Sequence, residues 1–444
     1  MLGVGRDGPL GPSRVVVTSV EAGADATGGS RAGGGTAEAD AWVALACTPG
    51  VGPVTFERLI DRLGGARAVL ERSLAPDGAR ALALASAAGP DDRPALSSEA
   101  FDAIQATARD PSPVTRRARA LGLRTVTLDD PRYPARLRAI DLPPPVLFVC
   151  GELAALEPLD AVAIVGTRRP TDGGRRIAAR IATAVAGLGA TIVSGLALGI
   201  DGAAHTAAVT ADRPTVAVIG GGHARLYPRI HERLADRIVA GGGAIVSEFA
   251  PDTEPTRGTF PRRNRLISGL SDSTVVVEAG ARSGALTTAA WALEQGRRLF
   301  LVPGPIDAPN VAGCLAFLRE LAPEARIVAG IPELLEDLEL VATARQRPSR
   351  ATSAEGRARA RRVTLAGPEA QLAELGAIER RVMTAILGGD VRTDALVAAT
   401  GLPLGAVLGA ITALELRGLV ANAFGRFQPL GVFAGLPVGR RRTR

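Results

Sequence analysis

Ala161-Val-Ala-Ile-Val-Gly-Thr-Arg168 is an apolar run that stops at a glycine, and a helical stretch begins just beyond it near Thr171-Asp172. The layout recurs at Val193-Ser194-Gly195, Val218-Ile219-Gly220-Gly221-Gly222, Val246-Ser247-Glu248, Val277-Glu278 and Leu301-Val302-Pro303-Gly304. Short apolar runs alternating with helical stretches predict an α/β fold: a Rossmann-like, mostly parallel sheet with helices on both faces. The carboxyl ends of such strands share one edge, where ligands bind. Glycines and helix N-termini gathered on that rim suit a phosphate.

Working outward, Leu123–Leu128 and Val146–Val149 are expected as strands leading into this sheet, and the sheet domain takes residues 116–340. Residues 40–115 read as small helices. Within them, Thr48-Pro-Gly-Val-Gly-Pro-Val-Thr-Phe56 places Gly50 and Gly52 in a tight turn before an amphipathic helix. This is either a SAM-like, helix-hairpin-helix unit whose turn amides hold a DNA phosphate, or a glycine turn joining two packed helices. Residues 1–39 are expected as a disordered tail, because Gly, Ala, Ser and Thr dominate Ala22 to Ala37. An Arg-rich linker is expected over 341–370 and a basic tail over 433–444. Between them, residues 371–432 predict three helices and a hairpin closing around Gly425, a winged helix. Its third helix, Ala406 to Arg417, offers only Glu415 and Arg417 to a DNA groove, so protein contact or packing is the expected duty.

Composition excludes several functions. At 46% hydrophobic the chain can build cores, yet no apolar run is long enough to span a bilayer and no secretory signal is visible. The expectation is a cytoplasmic protein with no membrane partner. Cys47, Cys150 and Cys314 lie far apart, and His223 and His231 have no second ligand at metal spacing, so neither a metal nor a cofactor is expected. All 52 basic residues are arginine, which removes Walker A loops and Schiff-base chemistry, since both need a lysine amine. The turn at Gly166 is not a GxGxxG fingerprint, which argues against a nicotinamide enzyme. The segments Arg345–Arg362 and Arg440–Arg444 together carry more than the whole net charge of +7. An anion site in the folded body must therefore come from local clusters, such as Arg168/Arg169 with Arg175/Arg176, or Arg262/Arg263/Arg265.

Candidate binding residues follow from the strand ends. Gly166 allows close backbone approach, while Thr167 and Arg168 offer a hydroxyl and a forked cation. Ser194 and Gly195, then Gly220, hold corresponding places on the next strands. Phe260-Pro-Arg-Arg-Asn-Arg265 combines an aromatic face with Arg262, Arg263, Asn264 and Arg265, the mixture that single-stranded nucleic acid needs. Ser283 and Gly284 open another helix beyond Glu278, whose carboxylate either polarises a sugar hydroxyl or caps helix amides. Asp201 and His205, four apart on a helix, are expected as a local ion pair, with general acid–base work as the rival reading.

Taken in order, these pieces resemble the DNA-processing protein A family (DprA/Smf). The match runs through Tyr133-Pro134, Val165-Gly-Thr-Arg168, Ser194-Gly-Leu-Ala, Gly199-Ile-Asp201, Ala204-His205, Tyr227-Pro228, Ser247-Glu248, Phe260-Pro-Arg-Arg-Asn-Arg265, Ser268-Gly-Leu-Ser271, Ser283-Gly284 and Val302-Pro-Gly304. The resemblance implies a non-catalytic protein that binds and protects single-stranded DNA on the rim of a Rossmann-like fold. It further implies loading of a RecA-type recombinase during natural transformation and recombination, and a homodimer. The chain departs from the family pattern at Leu198, where Arg is common, and at Ala224, His231 and Leu315. Two other functions compete: a nucleotide-processing Rossmann-like enzyme of the nucleoside-monophosphate hydrolase type, and a nucleotide-sensing scaffold. The rim carries more arginine than one phosphate requires, which weighs against the enzyme.

Overall fold

All six of these strand stops are drawn together by one sheet of nine strands, in the order β1-β2-β6-β5-β4-β3-β7-β8-β9. The computed structural model describes residues 32–87, 96–322, 324–340 and 375–402, with residues 372, 407, 410, 411, 414, 419–423, 426–430 and 433. The strands are β1 (Arg124–Thr127), β2 (Val146–Gly151), β3 (Ala161–Gly166), β4 (Thr191–Ser194), β5 (Thr215–Val218), β6 (Ala244–Ser247), β7 (Ser273–Val277), β8 (Arg298–Leu301) and β9 (Ala325–Ile327). From β6 across to β9 every pairing is parallel, whereas β2 runs antiparallel to both β1 and β6. The central strands are buried on both faces, so their sequences are continuous apolar runs rather than alternating ones.

Helices α1–α6 precede the sheet: Ala32–Ala46, Pro53–Leu63, Ala66–Ser73, Gly78–Ser86, Ser98–Arg109 and Pro113–Ala120. A short α7 (Ala135–Arg138) lies between β1 and β2. On one face of the sheet lie α8 (Asp172–Gly187), α9 (Ile200–Thr210) and α10 (Glu232–Ala240), packed on Ile164, Ile192, Val277 and Ala217. The other face carries α11 (Thr259–Gly269), α12 (Gly284–Glu294) and α13 (Ala312–Glu320), packed on Val165, Val193 and Val276. A terminal α14 (Ile331–Asp337) adds Leu334 to the first of these layers. The chain leaves β3 through α8 and leaves β7 through α12, on opposite faces. β3 and β7 are neighbours, so their carboxyl ends flank the crevice at a topological switch point.

The chain falls into two compact units, divided between Arg345 and Gln346. The small helical region belongs to the first unit. Its own core is Trp42, Leu45, Phe56, Leu59, Val69, Leu82 and Ile104, with Trp42 edge-on to Phe56 at 5.0 Å. The Trp42 indole N–H donates to the Pro145 carbonyl at 2.7 Å, and Val43 and Ala118 share a cluster with Phe148 and Ile245 of the sheet. Gly50 sits at φ +83, and a Cβ there would meet the Ala100 Cβ at 2.5 Å. Close packing of the turn against α5 thus accounts for this glycine. α1 starts at Ala32, inside the stretch expected as tail; residues 1–31 lie outside the described residues.

In the second unit, α15 (Ala377–Leu387), α16 (Thr393–Thr400) and a hairpin of β10 (Val420–Ala423) with β11 (Arg426–Pro429) form the winged-helix pattern. Val407, Ala410, Ile411 and Leu414, the described residues of the expected third helix, are helical and buried at a spacing that makes one face. Glu415 and Arg417 lie outside the described residues, as do the expected linker and almost all of the basic tail. In α15, Val382, Met383 and Ile386 make the buried face, and Ile378 is exposed.

Candidate nucleic-acid interface

Gly166 ends β3 where a Cβ would collide with the Val277 carbonyl, so glycine lets the ends of β3 and β7 lie this close. The Thr167 amide donates to the Glu278 carbonyl at 2.8 Å and ties the two loops together. Thr171 caps α8, its hydroxyl accepting from the Gly174 amide at 3.0 Å. The Glu278 carboxylate accepts from the Thr171 amide at 2.8 Å and from the Thr171 hydroxyl. Gly174 leaves room for this carboxylate, and Glu278 itself takes φ +53 to reach it. Of the two roles expected for Glu278, the geometry therefore shows capping: a buried negative charge at a helix N-terminus.

The arginines of α11 divide according to helical geometry. At about 100° per residue, positions 262, 263 and 265 point in three directions. Arg265 forks onto Glu248 at 3.0 and 2.8 Å, with side chains 4% and 1% exposed. It is a buried ion pair, and the expectation that it lies on the rim is corrected. Arg262 shares Glu248 at 3.3 Å and stacks over Phe249 at 5.4 Å, turned away from the crevice. Arg263 is buried and donates to the carbonyls of Gly195 and Val218. Among the described residues its Nε has no partner and no carboxylate lies within ion-pair distance. Burial pushes its pKa down to about 10, with Asp201 opposing and Arg168 reinforcing the shift.

Between the β3 and β7 loops and α11 lies a cleft of about 740 Å³. It brings together Gly166, Thr167, Arg168, Phe260, Arg263, Asn264, Ser283 and Gly284 of the expected residues. The Arg168 guanidinium lies over the Phe260 ring at 4.9 Å. Ser283 caps α12, its hydroxyl accepting from the Ala285 amide at 3.3 Å, and Asn264 donates across to the Gly284 carbonyl at 3.1 Å. Ser194, Gly195 and Gly220 do not line this cleft. The Ser194 hydroxyl is buried and donates to the Ile164 carbonyl. Gly195 lines a small recess beyond Arg168, and Gly220 makes room for the Phe260 ring.

Asp201 and His205 do not pair. Asp201 accepts from the amides of Gly195 and Ala197, closing the loop before α9. His205 lies against the Thr215 hydroxyl at 2.9 Å, and burial pushes its pKa down to about 3, so it stays neutral.

Three arginines of the cleft were absent from the sequence-derived site. Arg169, Arg257 and Arg282 are exposed on its lining beside Arg168, and among the described residues none of the four has a carboxylate within ion-pair distance. Arg169 stood within a noted cluster. Arg282 held a place in the loop between β7 and α12 equivalent to that of Arg168 after β3.

The family model described as DNA recombination-mediator protein A matches residues 124–339. Those described as DprA winged helix domain and DprA-like N-terminal HHH domain match residues 366–426 and 36–93. The DNA processing protein DprA of Bacillus subtilis is 39% identical over 220 residues, covering 50% of this chain and 73% of that protein. Protein Smf of Synechocystis is 36% identical over 324 residues, covering 68% of this chain and 79% of that protein. The X-ray structure of DNA processing protein A from Streptococcus pneumoniae superposes with a TM-score of 0.51 at 28% identity, covering 65% of this chain and 98% of that one. Agreement in the sheet domain, in both flanking domains and in fold shows that the chain belongs to the DprA/Smf family.

Proposed function

We propose that this protein binds single-stranded DNA in the cleft between the β3 and β7 loops and α11. The observation that carries the reading is the set of four exposed arginines without carboxylate partners, Arg168, Arg169, Arg257 and Arg282, around an aromatic face at Phe260. Arginine forks suit successive phosphates and the ring suits a base of any identity, so binding is sequence-tolerant and salt-sensitive. Buried Arg263 lies beneath the site, with Asp201 as its nearby countercharge. Gly166 and Thr167 let the backbone approach a phosphate, and the α12 N-terminus at Ser283-Gly284 offers further amides.

The role is non-catalytic in this proposal. The carboxylate best placed for acid–base work, Glu278, is already engaged in capping α8. The setting proposed is the cytoplasm, where the protein acts as a homodimer, shields incoming strands and passes them to a RecA-type recombinase. Among the described residues, no helix is long and apolar enough to cross a membrane.

Filter binding of single-stranded oligonucleotide, duplex and free nucleotides at two salt concentrations tests the reading. Tight binding of the single strand that weakens steeply with salt is expected. Equal affinity for a free mononucleotide favours the nucleotide-sensing scaffold, and release of free base favours the hydrolase.

A further inference from the structure

Arg168 and Phe260 form a ridge with two sides. The inner side lines the cleft; the outer side borders a small recess of about 20 Å³ between Leu198, Tyr227 and Pro228. Leu198 is 41% exposed and Tyr227 is 51% exposed, and the Tyr227 ring lies 6.0 Å from that of Phe260 at a tilt of 56°. The segment after Tyr227 is fastened in place, since the His231 ring bonds the Leu196 carbonyl at 2.9 Å. An aromatic ring and a leucine held at the surface, one side chain away from a cationic cleft, are not needed for the core.

We propose that the exposed surface over this recess is a second base seat, on which a nucleobase of the strand emerging from the cleft stacks on Tyr227 and covers Leu198. The proposal rests on the cleft being the strand site. Continuity favours a base over other occupants: Arg168 and Phe260 belong to both sides of the ridge, so a strand gripped within passes over it directly. Cation beside aromatic is the pairing that single-strand grooves use, because every base has a π-face to stack. A second copy of the chain is the weaker candidate. Two exposed side chains and a proline fall far short of the roughly 1,200 Å² that a stable interface buries. Leu198 then supplies apolar area under a base and contributes nothing to the salt dependence.

The test uses the full-length protein and three labelled deoxythymidine tracts: one intact, one abasic in its 5′ half and one abasic in its 3′ half. The parent is expected to bind both half-abasic tracts more weakly than the intact tract, one of them by about ten-fold because the stack on Tyr227 is lost. In Tyr227→Ala that penalty disappears while the penalty for the opposite half remains, and Tyr227→Phe restores the parent pattern. A Tyr227→Ala protein that keeps both penalties overturns the proposal. So does a change in its sedimentation without DNA, which would assign this surface to a second copy. An Arg168→Ala/Arg282→Ala variant is expected to weaken all three tracts alike. A parent that binds none of them refutes the cleft itself, a result distinct from failure of the base seat alone.

Discussion

Helix α11 and the loops that follow β3 and β7 both carry arginine, but they use it in opposite ways. On α11, Arg265 is sealed against Glu248, Arg262 shares the same carboxylate and Arg263 is buried among backbone carbonyls. On the loops, Arg168, Arg169 and Arg282 are exposed without a carboxylate within reach among the described residues, as is Arg257 just before α11. The first group holds the wall of the cleft in position; the second supplies its free charge. Density of charge along a chain therefore says little about availability of charge in space. Helical rotation sends consecutive arginines to different environments, and an extended loop keeps them at the surface.

This division can be broken by substitution. Arg265→Ala should have the largest effect on stability, about 3–5 kcal/mol, because it strips the main partner from a buried carboxylate. Denaturant unfolding measures the loss, and oligonucleotide affinity of the protein that remains folded should change little. Next is Arg168→Ala, expected to weaken single-strand binding by about ten-fold while shifting stability by no more than about 0.5 kcal/mol, as for an exposed side chain. Anisotropy and thermal melting separate those two effects. The smallest is Thr171→Ala, which removes the α8 cap and a hydroxyl donor to Glu278, at a cost of about 1 kcal/mol in unfolding experiments. If Arg265→Ala abolished binding without unfolding the protein, the two groups would not be distinct.

The strands between Ala161 and Val302 were legible because strands buried on both faces must be apolar throughout and must stop where the rim begins. β9 (Ala325–Ile327) was not, being three residues long with an arginine at its centre and an exposed pattern. Arg168 and Phe260 were readable from their places beside a strand end and a helix start. Arg265 was misplaced because its partner, Glu248, is contributed by the loop after a different strand, and only tertiary structure brings the two together. Arg257 and Arg282 went unnoticed for the opposite reason: a lone arginine on a loop looks like any solvated residue until the cleft closes around it. Leu198 and Tyr227 gave no signal of joint function, since 29 positions of chain separate two residues that share one recess.

The most direct measurement is the single-strand affinity of an Arg168→Ala/Arg257→Ala/Arg282→Ala protein across a range of salt, beside the parent. The account predicts a loss of about 100-fold or more, with a salt slope flatter by about 2, near 0.7 for each phosphate contact removed. An unchanged affinity and slope in a fully folded triple variant would contradict it.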